Sequence, residues 1–157
     1  MSHQAILDGD FSLKFPDLSR CTQLESVFLD EERWSSLAGY WIPLYAMPTL
    51  ATISSQILAS ISFHLTTMED TEDVTFDSIF GLRDLGELLS CNKRFPALKC
   101  LTFDYSCLHT PLKQEVAEAV LEKELGFLTQ KRGIEVKCIC RNPDFVSARN
   151  EVSRLVP

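Results

Sequence analysis

The chain has 157 residues, 45% apolar and 24% charged, with a formal net charge of -7, which is enough chain for one domain with a sizeable core. An acidic balance without any Lys/Arg run argues against a surface that tracks phosphates, so no nucleic-acid partner is expected. The start, Met1 to Ile6, lacks the charged and apolar regions of a secretory signal.

Residues 1–17 read as an irregular lead-in or cap, with Phe11, Leu13 and Phe15 alternating as an edge-covering segment would. A domain then spans residues 18–140. It opens with the phrase Leu24-x-x-Val27-x-Leu29, which returns as Leu58-x-x-Ile61-x-Phe63 and again as Leu98-x-x-Leu101-x-Phe103. Apolar residues at the first, fourth and sixth positions, recurring at intervals of this length, signal repeated structural units. Alternation at the fourth and sixth positions predicts a half-buried strand in each copy.

After the first strand, the acids Asp30, Glu31 and Glu32 precede Trp34, Leu37 and Trp41, which predicts a helix over 31–40. Pro43 and Pro48 break the chain there, leaving a short helix or turn over 44–54. No Asp, Glu, Lys or Arg occurs between Arg33 and Glu69, but prolines and many hydroxyl residues interrupt that stretch. It reads as core, not as a membrane span. The aromatic residues Trp34, Tyr40, Trp41 and Tyr45 read as packing at the junction of repeats.

The second strand gives way to an acidic surface connection over 66–73, and then to a helix using Ile79, Leu82, Leu85, Leu88 and Leu89 as its apolar face. Gly81 and Gly86 fall inside that helix and weaken it. After the third strand, Thr110 and Pro111 predict an N-cap and first helical position. The helix that follows buries Val116, Ala117, Val120, Leu121, Leu125 and Leu128, and ends at Lys131-Arg132-Gly133. Ile134 to Cys140 reads as a fourth strand, and residues 141–157 as a capping turn or flexible tail.

Parallel strands need long crossovers, which the helical segments supply. The predicted fold class is therefore α/β: a short leucine-rich-repeat-like solenoid of about four strand–helix units, its parallel sheet covered by helices on one face. Strands at 24–29, 58–63, 98–103 and 134–139 should be consecutive parallel neighbours.

With these blocks in view, the chain resembles leucine-rich repeat proteins of the F-box-associated kind, as found in mushroom-forming fungi. The resemblance rests on Thr52-Ile53-Ser54-Ser55 ahead of Leu58 to Phe63, and on Leu88-Leu89-Ser90 with Arg94-Phe95-Pro96-Ala97-Leu98 running into Leu101-Thr102-Phe103. It implies a protein-recognition module, often a substrate receptor of a ubiquitin ligase. No F-box helix bundle precedes the repeats, so adaptor binding is not carried over. The Asn or Cys that closes the family's repeat phrase is replaced by Glu32, Thr66 and Ser106.

The pleat sends Ser26, Phe28 and Asp30, Ser60, Ser62 and His64, and Cys100, Thr102 and Asp104 to the open face of the sheet, which makes them the candidate partner-binding residues. Asp30, His64 and Asp104 form a row if the strands are in register. Such a row suits a metal or a polarised histidine, which is the alternative reading as a small α/β enzyme. No catalytic residue or cofactor is assigned, because no phosphate loop, nucleophile elbow or zinc-finger spacing is present.

The six cysteines, at 21, 91, 100, 107, 138 and 140, lack framework spacing and read as reduced thiols of the cytosol or nucleus. Cys138 and Cys140 are expected on opposite faces of their strand, which would spoil them as a chelate. His109 reads as a loop residue. The functional expectation is a non-enzymatic module that binds a protein partner through its open sheet face.

Overall fold

The structure is a computed structural model that describes residues 15–33, 40–42, 45–67, 79–107 and 113–141. The elements run β1 (Ser26–Arg33), β2 (Tyr40–Trp41), α1 (Ala46–Thr52), β3 (Ser60–Thr67), β4 (Ile79–Phe80), α2 (Leu82–Leu89), β5 (Cys100–Cys107), α3 (Gln114–Arg132) and β6 (Glu135–Arg141). The main sheet has the order β1-β3-β5-β6, and β2 pairs with β4 separately. Every pairing is parallel. The four long strands are thus consecutive neighbours, as the repeated phrase and the intervening helical segments predict, and among the described residues one helix lies in each crossover between them.

Strand pairing starts one residue after each leading leucine. Ala59 N–H donates to Glu25 O at 2.8 Å, Lys99 N–H to Ala59 O at 2.9 Å, and Glu135 N–H to Lys99 O at 2.8 Å. Leu58 and Leu98 are buried beneath these junctions, and Leu24 packs against the core. The strands proper begin two residues later than expected in the first three copies, because the leucine turns inward before the ladder forms.

Alternation then sorts the strand side chains. Val27 and Leu29, Ile61, Phe63 and Leu65, and Leu101, Phe103 and Tyr105 are all buried, joined by Val136, Cys138 and Cys140 packed at the core's edge. Ala46 and Leu50 of α1, Leu82, Leu85 and Leu89 of α2, and Ala117, Leu121, Leu125 and Leu128 of α3 fill the same cluster. The helices therefore cover one face of the sheet. Phe63 and Phe103, register partners, stack with centroids 5.1 Å apart, and Tyr105 stacks on Phe103 at 6.3 Å. This aromatic run holds the two central strands together.

Two arginines tie successive strand–helix units together. The Arg94 guanidinium donates to the carbonyl of Ala51 near the end of α1. Arg132 donates to the carbonyls of Leu89, at the end of α2, and Phe95, the latter at 2.6 Å. Helix ends leave carbonyls without partners inside the helix, and a cation there also meets the negative end of the helix dipole. Hydroxyls do similar work at the first junction, where Ser55 donates to Leu24 O at 2.8 Å and Ser54 to Ser19 O at 2.7 Å.

Several local expectations are corrected. Residues 31–33 continue β1 and residues 40–41 form β2, where the ends of a helix over 31–40 were expected; residues 34–39, with Trp34 and Leu37, lie outside the described residues. Pairing of Glu31, Glu32 and Arg33 with Leu65, Thr66 and Thr67 outweighs the helix-starting preference of the acidic run. Ile79 belongs to β4, and Gly81 stands outside α2 as its N-cap, at φ 88°. That left-handed conformation suits glycine, and a Cβ would sit 3.2 Å from Ile42 Cβ.

Gly86 does lie inside α2, where a Cβ would meet the Phe127 ring at 3.0 Å. Its absence of side chain permits the close approach of α2 to α3. Lys113 is still extended and α3 begins at Gln114, so Pro111 is not its first helical residue; Thr110 and Pro111, with His109, lie outside the described residues. Val116 is exposed, not buried. The expected end is found, with Gly133 at φ 65° and its N–H bonded to Thr129 O at 2.9 Å. Phe11, Leu13, most of the 66–73 connection and residues 142–157 lie outside the described residues.

Candidate functional site: the open sheet face

Register places the alternate residues of the four strands in rows. Ser26, Ser60, Cys100 and Glu135 make the first, Phe28, Ser62, Thr102 and Lys137 the second, and Asp30, His64, Asp104 and Ile139 the third. All nine predicted open-face residues fall in these rows. Their side chains are exposed or half-buried, in contrast to the buried residues between them.

The third row carries the most defined chemistry. His64 Nδ1 lies 3.0 Å from Asp30 Oδ1, so a proton on Nδ1 is donated to the carboxylate and fixes the ring's orientation. Tyr45 donates its hydroxyl to the backbone carbonyl of Asp30 at 2.5 Å, holding that end of β1. Phe28 is 65% exposed, and its ring lies 6.2 Å from the His64 ring with a tilt of 31°. An aromatic side chain with so much surface in water, beside an oriented imidazole, is the most prominent apolar feature of this face.

Asp104 stands in register beside His64 but takes a different partner. Arg141 Nε lies 2.9 Å from both carboxylate oxygens, and its Nη2 lies 2.9 Å from Oδ2. Asp104 is 13% exposed in this pair and Arg141 65%. The forked contact satisfies the carboxylate geometrically, while the exposure of Arg141 keeps its energetic contribution at about 1 kcal/mol or less. The expected Asp30, His64 and Asp104 row is thus split into two pairs. Among the described residues no group of three or more His, Cys, Asp or Glu side chains is placed to hold a metal ion.

The rest of the face is polar. Cys100 Sγ lies 3.7 Å from Thr102 Oγ1. Lys137 Nζ lies 3.2 Å from a Glu135 carboxylate oxygen, and that hydrogen bond raises the ammonium above its ordinary range.

Sequence reasoning missed the contribution of the fourth strand. Glu135, Lys137, Ile139 and Arg141 extend the rows, and Ile139 is 39% exposed. Arg141, which the sequence suggests as the start of the tail, is the last residue of β6. Alternation outward from Val136 and Cys138 carries the signal that assigns it to this face.

The two thiols of β6 are also corrected. Residues two apart in a strand share a face, and Cys138 and Cys140 lie together on the helix side with their sulfurs 4.0 Å apart. Burial pushes the Cys138 thiol up to about 12, aided by the neighbouring Cys140 sulfur. Burial likewise raises Cys140, with Glu118 and Asp104 adding to it.

Among the described residues no helix is long and apolar enough to cross a membrane. No family model matches this chain, and neither the curated proteins nor the solved structures contain a significant match to it.

Proposed function

We propose that this chain is a recognition module of the leucine-rich-repeat type, a short solenoid that receives a protein partner on its open sheet face. The observation that carries the reading is Phe28, two-thirds exposed, beside the His64 ring of an oriented Asp30–His64 pair and in one register row with Ser62 and Thr102. Aromatic anchors ringed by polar groups dominate binding energy at protein interfaces, and solenoids customarily bind through the face their strands line. The repeated strand phrase and the arginine ties between successive helix ends support the solenoid. In the fuller form of the proposal the partner is a substrate delivered to a ubiquitin ligase, which rests on the resemblance to F-box-associated repeat proteins. The site of action is the cytosol or nucleus, where free thiols persist.

Affinity capture from extracts of the source organism tests this reading. The triple variant Phe28→Ala, His64→Ala, Thr102→Ala should fold almost as stably as wild type, since substitutions on a solvated face cost about 0.5 kcal/mol or less each. Recovery of the partner should fall by about 30-fold or more, the loss expected when a hot spot is removed. Equal capture by wild type and the triple variant would place the contact elsewhere.

A second reading is favoured by the same histidine. An imidazole held by a carboxylate is the base-and-orienter half of a hydrolytic site, and among the described residues no hydroxyl or thiol hydrogen-bonds the other ring nitrogen of His64. Turnover of an ester by the wild-type chain that vanishes in His64→Gln would establish the enzyme in place of the module.

A further inference from the structure

β6 closes the main sheet, and its inward side packs against α3. Cys138 and Cys140 stand there as neighbours, half-buried and free, with 4.0 Å between their sulfurs. A cavity of about 430 Å³ opens beside Cys138, lined also by Glu118, Leu121 and Glu122 of α3 and by Val136, Lys137 and Ile139 of β6. The open-face reading makes no use of these sulfurs.

We infer that Cys138 and Cys140 form a two-thiol site for a soft monovalent cation, Cu(I) in particular. The geometry carries it. Two metal–sulfur bonds of about 2.3 Å, opened to about 120°, hold their sulfurs about 4.0 Å apart, which is the separation already present. A disulfide needs about 2.05 Å between the sulfurs, and closing that gap would buckle a strand paired along its length with β5. Thiolate sulfur selects soft cations over hard ones. A structural zinc site calls for four ligands, whereas Cu(I) is content with two or three.

The cation replaces the two thiol protons, which pass to solvent, and neither sulfur changes oxidation state. The carboxylates of Glu118 and Glu122 at the cavity lend the approach a negative field without acting as ligands in this scheme.

The experiment uses the reduced full chain under anaerobic conditions, titrated with Cu(I) from its acetonitrile complex against a chromophoric Cu(I) chelator. Wild type should retain one equivalent. Cys138→Ser and Cys140→Ser should each lower the affinity by about 100-fold or more, because either change removes the second, intramolecular ligand. The variant Cys21→Ser, Cys91→Ser, which removes two exposed thiols, should bind as wild type does.

A second measurement needs no variant. Trypsin releases Cys138-Ile139-Cys140-Arg141 as one peptide, and one equivalent of Cu(I) should suppress native-state alkylation of both its thiols about tenfold or more. The inference is overturned if alkylation of that peptide is unchanged by Cu(I). It is equally overturned if folded Cys138→Ser and Cys140→Ser proteins hold the ion as tightly as wild type.

Discussion

Phe103→Ala is expected to destabilise the domain by about 3–5 kcal/mol, the range for truncating a fully buried phenylalanine. Phe103 has no exposed surface and lies between two stacked rings, Phe63 on the neighbouring strand and Tyr105 two residues along its own. Its removal opens a cavity at the centre of the sheet, where paired strands on both sides hinder collapse. The loss of two aromatic contacts adds to the transfer cost, at about 0.5–1.5 kcal/mol for each pair. Urea unfolding should show a lower midpoint with an unchanged slope. A loss below about 1 kcal/mol would mean that the sheet centre relaxes freely, against the rule for close-packed interiors.

Arg132→Ala is expected to cost about 2–3 kcal/mol, the worth of hydrogen bonds made by a charged group. The guanidinium bridges Leu89 O, at the end of α2, and Phe95 O in the connection that follows it. Without it Leu89 O loses the arginine donor and Phe95 O keeps only the Leu98 N–H at 3.3 Å, and α3 loses its tie to the α2 junction. Arg132→Lys should recover less than half of the loss, because an ammonium lacks the planar fork that reaches both carbonyls. Thermal melts of the three proteins settle the order. Full recovery by lysine would show that charge alone, acting on the helix end, does this work.

Strand positions were legible because the repeat phrase encodes two facts at once. The fourth and sixth positions fix which face is buried, and the leading leucine fixes where pairing begins, so Val27, Ile61 and Leu101 fall into one row of the register. The same phase carries Asp30, His64 and Asp104 into a common row. Which neighbour each of them chooses was not legible. His64 turns to Asp30 while Asp104 turns to Arg141, and that choice depends on side-chain reach across strands, which spacing does not encode.

The region after β1 misled sequence reasoning for a related reason. An acidic run before tryptophans has the local character of a helix start, yet Glu31, Glu32 and Arg33 have β3 alongside and take the ladder instead. Gly81 reads as a weak helix residue in isolation and becomes a left-handed cap once Ile42 packs against it. Cys138 and Cys140 needed only the period of a strand to be placed together. Their juxtaposition against α3 also required knowing which face α3 covers.

Site-specific photocrosslinking tests the two-faced account most directly. A photoreactive phenylalanine analogue is placed at position 28, on the open face, and in a second protein at position 83, an exposed residue of α2 on the helix side. After irradiation in extracts of the source organism, position 28 should yield a discrete crosslinked product, and position 83 should yield none. A product from position 83 with none from position 28 would contradict the account and move the recognition surface to the helices.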